Sequence, residues 1–225
     1  VNINDLVPVS ALASCHGVKG IFYGPAGNGK TPIILTTAPR PVCCITEPGM
    51  LSVRNVHTVP AWPASTFARF KEFVDWVCGS HEARNFDTVV LDSASEAAEI
   101  KLREEAPKHK HGQKVYGAMA EEMAVQFNRL FHLPEKHVAL ICKETRNQQN
   151  QASFYFPGQA LNVAVPHLYD LIARFERMPD PQNPGKTVIV IRTQGSLDAH
   201  CRDRGGKLAE LEPAHLTYLF QKAMS

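Results

Sequence analysis

Gly24-Pro25-Ala26-Gly27-Asn28-Gly29-Lys30-Thr31 matches the pattern G-x-x-x-x-G-K-[ST] at every fixed position. The glycines let backbone N–H groups turn inward around a di- or triphosphate. The Lys30 ammonium reaches the outer phosphates, and the Thr31 hydroxyl suits Mg²⁺. The flanks fit the same reading. Residues 20–23, Gly-Ile-Phe-Tyr, form a short apolar strand, and residues 31–37 open a helix whose N-terminus favours anions. Pro32 is compatible with that helix because the first turn needs no intrahelical N–H. Gly24 to Pro32 is therefore the candidate nucleotide-binding segment, with ATP and Mg²⁺ as the expected ligands.

Working outward, strands and helices alternate. Residues 42–46 and 88–91 read as buried strands, 56–59 as a short strand, and 137–142 as another apolar strand. Phe67, Phe70, Phe73, Val74 and Val77 fall at helical spacing, which predicts a helix over 65–78 with Ser65 as its N-cap and Gly79 as its stop. Helices are predicted over 94–103, 115–131 and 213–223, and a basic link over 107–114. Residues 170–178 and 187–193 read as two strands of a hairpin joined by a Pro/Asn/Gly-rich turn. The Gln/Asn-rich residues 147–151 read as a mobile loop. Strands separated by helices imply an α/β fold, a mostly parallel sheet with helices on both faces. The 225 residues suit one domain, with 1–18 as an N-terminal extension and 209–225 as the C-terminal helix.

Composition narrows the class. The chain is 44% hydrophobic and 20% charged, as expected of a globular protein, and its net charge of +2 is too small to argue nucleic-acid binding by itself. No apolar run approaches membrane-spanning length and the start lacks a signal-peptide pattern, so a cytoplasmic protein with no membrane partner is expected. The first residue, Val1, is compatible with trimming or processing. The six cysteines, Cys15, Cys43, Cys44, Cys78, Cys142 and Cys201, form no C-x-x-C and are expected to be reduced core residues.

A second nucleotide element ends the strand Thr88-Val89-Val90-Leu91-Asp92. An acid there would hold the Mg²⁺ shell, although the same residue would also suit the N-cap of the next helix. Hydrolysis further needs a group to orient or deprotonate water. Ser93 follows Asp92 where many ring ATPases carry Glu, so the base must come from elsewhere. Glu47 ends the neighbouring strand at the edge where parallel strands gather their C-termini. Glu96 and Glu99 are its rivals.

These motifs together resemble the RecA-type ATPase core, in which the catalytic glutamate ends the strand after the phosphate-loop helix. The run Val90-Leu91-Asp92-Ser93-Ala94-Ser95-Glu96, with Val115-Tyr116-Gly117-Ala118-Met119, is similar to the phage-encoded branch, short RecA-like ATPases that act as single-strand-annealing recombinases. The resemblance covers residues 20–208 and implies several roles. Cys201-Arg202-Asp203-Arg204-Gly205-Gly206 resembles the Lys-x-Arg-x-Gly run that reaches a neighbour's γ-phosphate, which makes Arg204 the arginine finger and puts Arg202 where the family often has Lys. Lys143 stands where the family carries a polar γ-phosphate sensor. The segments matching the two DNA loops are 107–114, with Lys108, Lys110 and Lys114, and 144–158, with Arg146, Phe154 and Tyr155.

The expected activity is DNA-stimulated ATP hydrolysis at subunit interfaces. The implied partners are single-stranded DNA, further copies of the chain in a ring or filament, and a cognate single-strand-binding protein, in the host cytoplasm if phage-encoded. Two alternatives stay open: an ATP-gated module resembling a helicase loader, and a phosphate-loop kinase for a small molecule.

Overall fold

The computed structural model describes residues 7–14, 16–47 and 49–225; residues 1–6 of the expected N-terminal extension and Cys15, expected in the core, lie outside the described residues. In chain order the elements are α1 (Val9–Ser14), β1 (Lys19–Tyr23), α2 (Lys30–Thr37), β2 (Pro41–Ile45), β3 (Ala61–Pro63), α3 (Phe67–Gly79), β4 (Thr88–Asp92) and α4 (Ala94–Glu105). They continue with α5 (Gly112–Phe131), β5 (His137–Ile141), β6 (Glu144–Arg146), β7 (Ala152–Phe154), α6 (Ala160–Leu168), β8 (Leu171–Pro179), β9 (Thr187–Arg192), β10 (Arg202–Asp203), β11 (Leu211–Pro213) and α7 (Leu216–Met224).

Within the described residues, the main sheet runs β11-β9-β8-β1-β5-β4-β2-β3, with β10 paired to β8. The six strands from β8 to β3 are parallel, and β9 returns antiparallel on β8. This is the mostly parallel, helix-flanked sheet with a C-terminal antiparallel hairpin that the RecA-like resemblance implies.

β1, β4 and β5 are buried along their whole length, as strands covered on both faces must be. Their side chains alternate between two cores. Val89 and Leu91 face α3, α4, α5 and α6, whereas Val90 faces α2 and α7. In α3, Phe67, Phe70, Phe73, Val74 and Val77 are all buried. Each such phenylalanine contributes roughly 1.5–3 kcal/mol on leaving water, enough to fix which face of the helix turns inward.

Several local expectations shift. Thr66, not Ser65, caps α3, accepting the Arg69 N–H at 3.3 Å. Residues 56–59 form no strand; Val56 and Val59 pack against the α2/α7 core, and the strand comes at Ala61–Pro63. There it pairs with β2 at the sheet edge, where flanking prolines cost no ladder bond and the Pro60 carbonyl still accepts Cys43 N–H at 3.0 Å. The expected helix 213–223 begins at Leu216, because residues 211–213 pair with β9 and His215 takes the cap. Residues 147–151, expected as a mobile loop, close the β6–β7 hairpin. Asn147 Oδ1 accepts the N–H groups of Gln149 (3.0 Å) and Gln151 (2.9 Å), an Asx-type turn. Cys78 is exposed rather than in the core, while Cys43, Cys44, Cys142 and Cys201 are buried, and these five are free thiols. No helix among the described residues is long and apolar enough to cross a membrane.

Candidate active site at the C-terminal edge of the sheet

Sheet register sets the site. Ile45, Asp92, Ile141 and Phe22 lie in one row across β2, β4, β5 and β1. The residues just past that row therefore emerge together: Glu47, Ser93, Lys143 and the loop from Gly24. They line a cleft of about 660 Å³.

The loop is held open by its glycines and by β8. Gly24 has φ 150°, and a Cβ there would sit 2.6 Å from the Phe175 carbonyl oxygen, so no larger residue fits. Gly27 (φ 81°) and Gly29 (φ 69°) occupy left-handed backbone, where glycine is favoured. Nothing lies within 4 Å of a Cβ built on Gly27, which leaves room over the loop for a ligand. Asn28 turns away from the cleft and donates to the Phe175 carbonyl at 3.2 Å. Gly24, Pro25, Ala26, Gly27, Gly29, Lys30, Thr31 and Pro32 all line the cleft. Pro32 falls in the first turn of α2, as expected, and the turn closes through Ile33 N–H to Gly29 O at 3.1 Å.

Lys30 Nζ donates to the carbonyls of Gly24 (2.7 Å) and Pro25 (3.0 Å). Burial lowers its pKa, with Asp92, Glu144 and Glu47 pulling the other way. Asp92 is only 7% exposed. Burial pushes its carboxyl up to about 6, opposed by the hydrogen bond from Thr31 and by Lys30 and reinforced by Glu47. Asp92 does not cap α4. Ser93 does, its Oγ accepting Glu96 N–H at 3.1 Å.

These residues fit Mg²⁺. A buried carboxyl penalised for its charge, hydrogen-bonded to a hydroxyl and opening onto a cleft, gains from a hard cation. Among the described residues no three His, Cys, Asp or Glu form a cage for a metal, as suits an ion held by one or two protein oxygens together with phosphates.

Glu47 follows β2 and lines the cleft, with Oε1 accepting from Ser93 Oγ at 2.5 Å. Its rivals are otherwise engaged. Lys143 Nζ bonds Glu96 Oε2 at 2.7 Å and Glu99 Oε2 at 2.8 Å, and Arg103 adds a bond to Glu96 at 2.7 Å. Burial alone would raise the Glu96 carboxyl, but the bonds from Lys143 and Arg103 hold it at about 2, too weak a base for proton abstraction. Lys143 lies at the cleft wall, already paired with two carboxylates.

The remaining expected residues are placed elsewhere. Arg204 N–H donates to Asp170 O, and Asp170 N–H to Lys19 O, so Arg204 sits at the opposite edge of the sheet from the phosphate loop. Its guanidinium bonds His167 O at 2.6 Å and Asp170 Oδ1 at 3.4 Å. Arg202 is half-buried, with Nη2 on the carbonyls of Pro166 and Tyr169 at the end of α6.

In the basic segment, Lys108 pairs with Glu105 at 2.8 Å, while Lys110 and Lys114 stand exposed with no ion pair among the described residues. Lys114 lies in the first turn of α5, so the link is shorter than expected. Arg146 is exposed on β6. Phe154 is 2% exposed and packs edge-on against Tyr23, so it belongs to the core and cannot stack on a base, contrary to expectation. Phe156, just past β7, is buried with it, and Tyr155 between them is half-buried.

Two groups escaped the sequence reading. Thr46 Oγ1 donates to Ser93 O (2.8 Å) and accepts Ser93 N–H (2.9 Å), clamping β2 to β4 at the cleft. Arg174 on β8 makes a two-point contact with Glu144 at the cleft wall, 2.8 and 3.2 Å, and also bonds Glu176 at 3.0 Å. Ser93-x-x-Glu96 is a capping-box spacing and could have marked Ser93; nothing in the sequence singles out Arg174.

The family model described as "AAA domain" matches residues 16–204, which takes in the whole cleft and both arginines. The chain belongs to the AAA-domain family. No curated protein matches the chain. Among solved structures, this AAA-domain chain is similar to the flagellar accessory protein FlaH from Methanocaldococcus jannaschii, at 11% identity and TM-score 0.45, covering 87% of this chain and 84% of that one. It is also similar to a KaiC-like protein from the hyperthermophilic archaeon Pyrococcus horikoshii OT3, at 10% identity and TM-score 0.44, covering 79% and 78%.

Proposed function

We propose that this AAA-domain protein hydrolyses ATP in the cleft described above and uses the cycle to control its grip on single-stranded DNA, in phage recombination or repair. The observation that carries the reading is the convergence of Lys30, Thr31, Asp92 and Glu47 on one cleft whose wall, at Lys143 and Glu144, continues directly into the β6–β7 hairpin. Lys30 would neutralise the outer phosphates. Glu47 would orient and deprotonate the attacking water. Mg²⁺, held by Thr31 and Asp92, would supply charge stabilisation for the phosphoryl oxygens. A residue at Arg204's edge cannot serve its own cleft, so an arginine finger at Arg204 or Arg202 requires a second copy. That makes turnover depend on assembly. Arg146, Lys110 and Lys114 supply the exposed cations for a DNA backbone, and a cognate single-strand-binding protein is the partner the resemblance suggests.

Fluorescence anisotropy of a labelled single strand, with and without a non-hydrolysable ATP analogue, tests this. The expected result is tighter binding with the analogue, weakening with salt, and a loss of affinity on Arg146→Glu. Equal affinity in both nucleotide states would remove the gating claim.

One observation favours a second reading, an ATP-gated interaction module. Leu197 is 93% exposed on a loop tied to the hairpin through Ala152 N–H to Asp198 O at 2.7 Å. With Phe154 in the core, that surface is less suited to DNA than the sequence suggested. No measurable DNA affinity in either nucleotide state would favour a protein partner there.

A further inference from the structure

We propose that Ser93 is a positioning residue for Glu47, holding the carboxylate in place from the N-cap of α4. The inference rests on the reading of Glu47 as the base. A hydroxyl carries one hydrogen. Ser93 Oγ uses its lone pairs to accept Glu96 N–H at 3.1 Å, so its hydrogen is free for Glu47 Oε1, 2.5 Å away. One carboxylate oxygen is thereby tied to a helix N-terminus, where negative charge is favoured. The contact fixes Glu47 from the strand next to its own.

The backbone of Ser93 is fixed in turn. Its N–H and C=O both bond Thr46 Oγ1, at 2.9 and 2.8 Å, and Thr46 N–H bonds Asp92 O at 2.7 Å. Thr46 directly precedes Glu47, so the base is set from its own backbone and from its carboxylate by one neighbouring residue. Ser93 is 2% exposed, while Glu47 is half-buried and faces the cleft. The hydroxyl reaches Glu47 without lining up on Lys30 or Thr31, so its loss acts on turnover rather than on nucleotide affinity.

The test is a cycle of four full-length proteins, wild type, Ser93→Ala, Glu47→Gln and the double variant, with kcat and KM for ATP measured on each. Misplacing a base by a fraction of an ångström costs on the order of 10- to 100-fold. Ser93→Ala is expected to lower kcat by that factor with KM within about twofold, and to lower the residual rate of Glu47→Gln no further, because residues acting as one unit are not additive. The same loss in both backgrounds, or no loss in either, overturns the proposal. Full turnover in Glu47→Gln would instead remove the base itself, and the proposal with it.

Two further variants separate positioning from capping. Ser93→Asp keeps an acceptor for Glu96 N–H but has no hydrogen for Glu47, and is expected to lose kcat as Ser93→Ala does. Ser93→Thr keeps the hydroxyl and is expected to recover most of the loss. Wild-type turnover in Ser93→Asp would show that only the cap matters and would overturn the proposal, even if Ser93→Ala does not fold.

Discussion

Glu47→Gln is expected to lower ATP turnover by about 100-fold or more while leaving ATP affinity within about threefold, since general-base contributions are of that size. The substitution is isosteric and keeps an oxygen for Ser93 Oγ, so the cleft is conserved while the proton acceptor is lost. Lys30, Thr31 and Asp92 are untouched, so binding of a fluorescent ATP analogue reports on the same site. Near-normal turnover would move the base elsewhere in the cleft. Glu96 and Glu99 are poorly suited to inherit the role, because Lys143 holds both and Arg103 also holds Glu96.

Asp92→Asn is expected to produce opposite effects on stability and activity. Burial lifts the Asp92 carboxyl from 3.8 to about 6 in the folded chain. Between those values the unfolded chain has released a proton that the folded chain still holds, so folded stability falls as pH rises through that window. Above about pH 6 the accumulated cost is about 3 kcal/mol, from roughly two pK units at about 1.4 kcal/mol each. Asparagine carries no charge and still offers Thr31 an oxygen.

Without Mg²⁺ and nucleotide, the variant should therefore melt about 6–12 °C higher at pH 8 and show little gain near pH 4. Mg²⁺-dependent hydrolysis should fall by several orders of magnitude, and adding Mg²⁺ with ATP should raise its melting temperature less than that of the wild type. Melting curves at the two pH values, each with and without MgATP, check all of this. A variant less stable at pH 8 would show that the Asp92 charge is already compensated within the chain.

The sequence carried the site where one residue's chemistry is tied to a strand end. The glycine spacing located the phosphate loop. The apolar runs ending at Ile45 and Asp92 located Glu47 and the metal-side acid, because parallel strands deliver their C-termini to one edge. It carried less where partners are distant in sequence. The Glu144–Arg174 contact spans thirty residues and depends on β8 lying beside β1, which no local pattern encodes.

Short apolar pieces also misled. Val56 and Val59 are apolar because they pack against the core between the sheet and the α2/α7 side, not because they join the ladder. Phe154 looked suited to base stacking beside the amide-rich turn, yet its ring packs against Tyr23, and that of Phe156, just past β7, against Phe127. Lys108 stands among basic residues in the sequence, but Glu105, three residues earlier on the last turn of α4, pairs with it.

The most direct test of the account is steady-state ATP hydrolysis by the intact chain with Mg²⁺, measured with and without single-stranded DNA. Mg²⁺-dependent turnover is expected to rise saturably as DNA is added. Turnover indifferent to DNA over a full titration would contradict it.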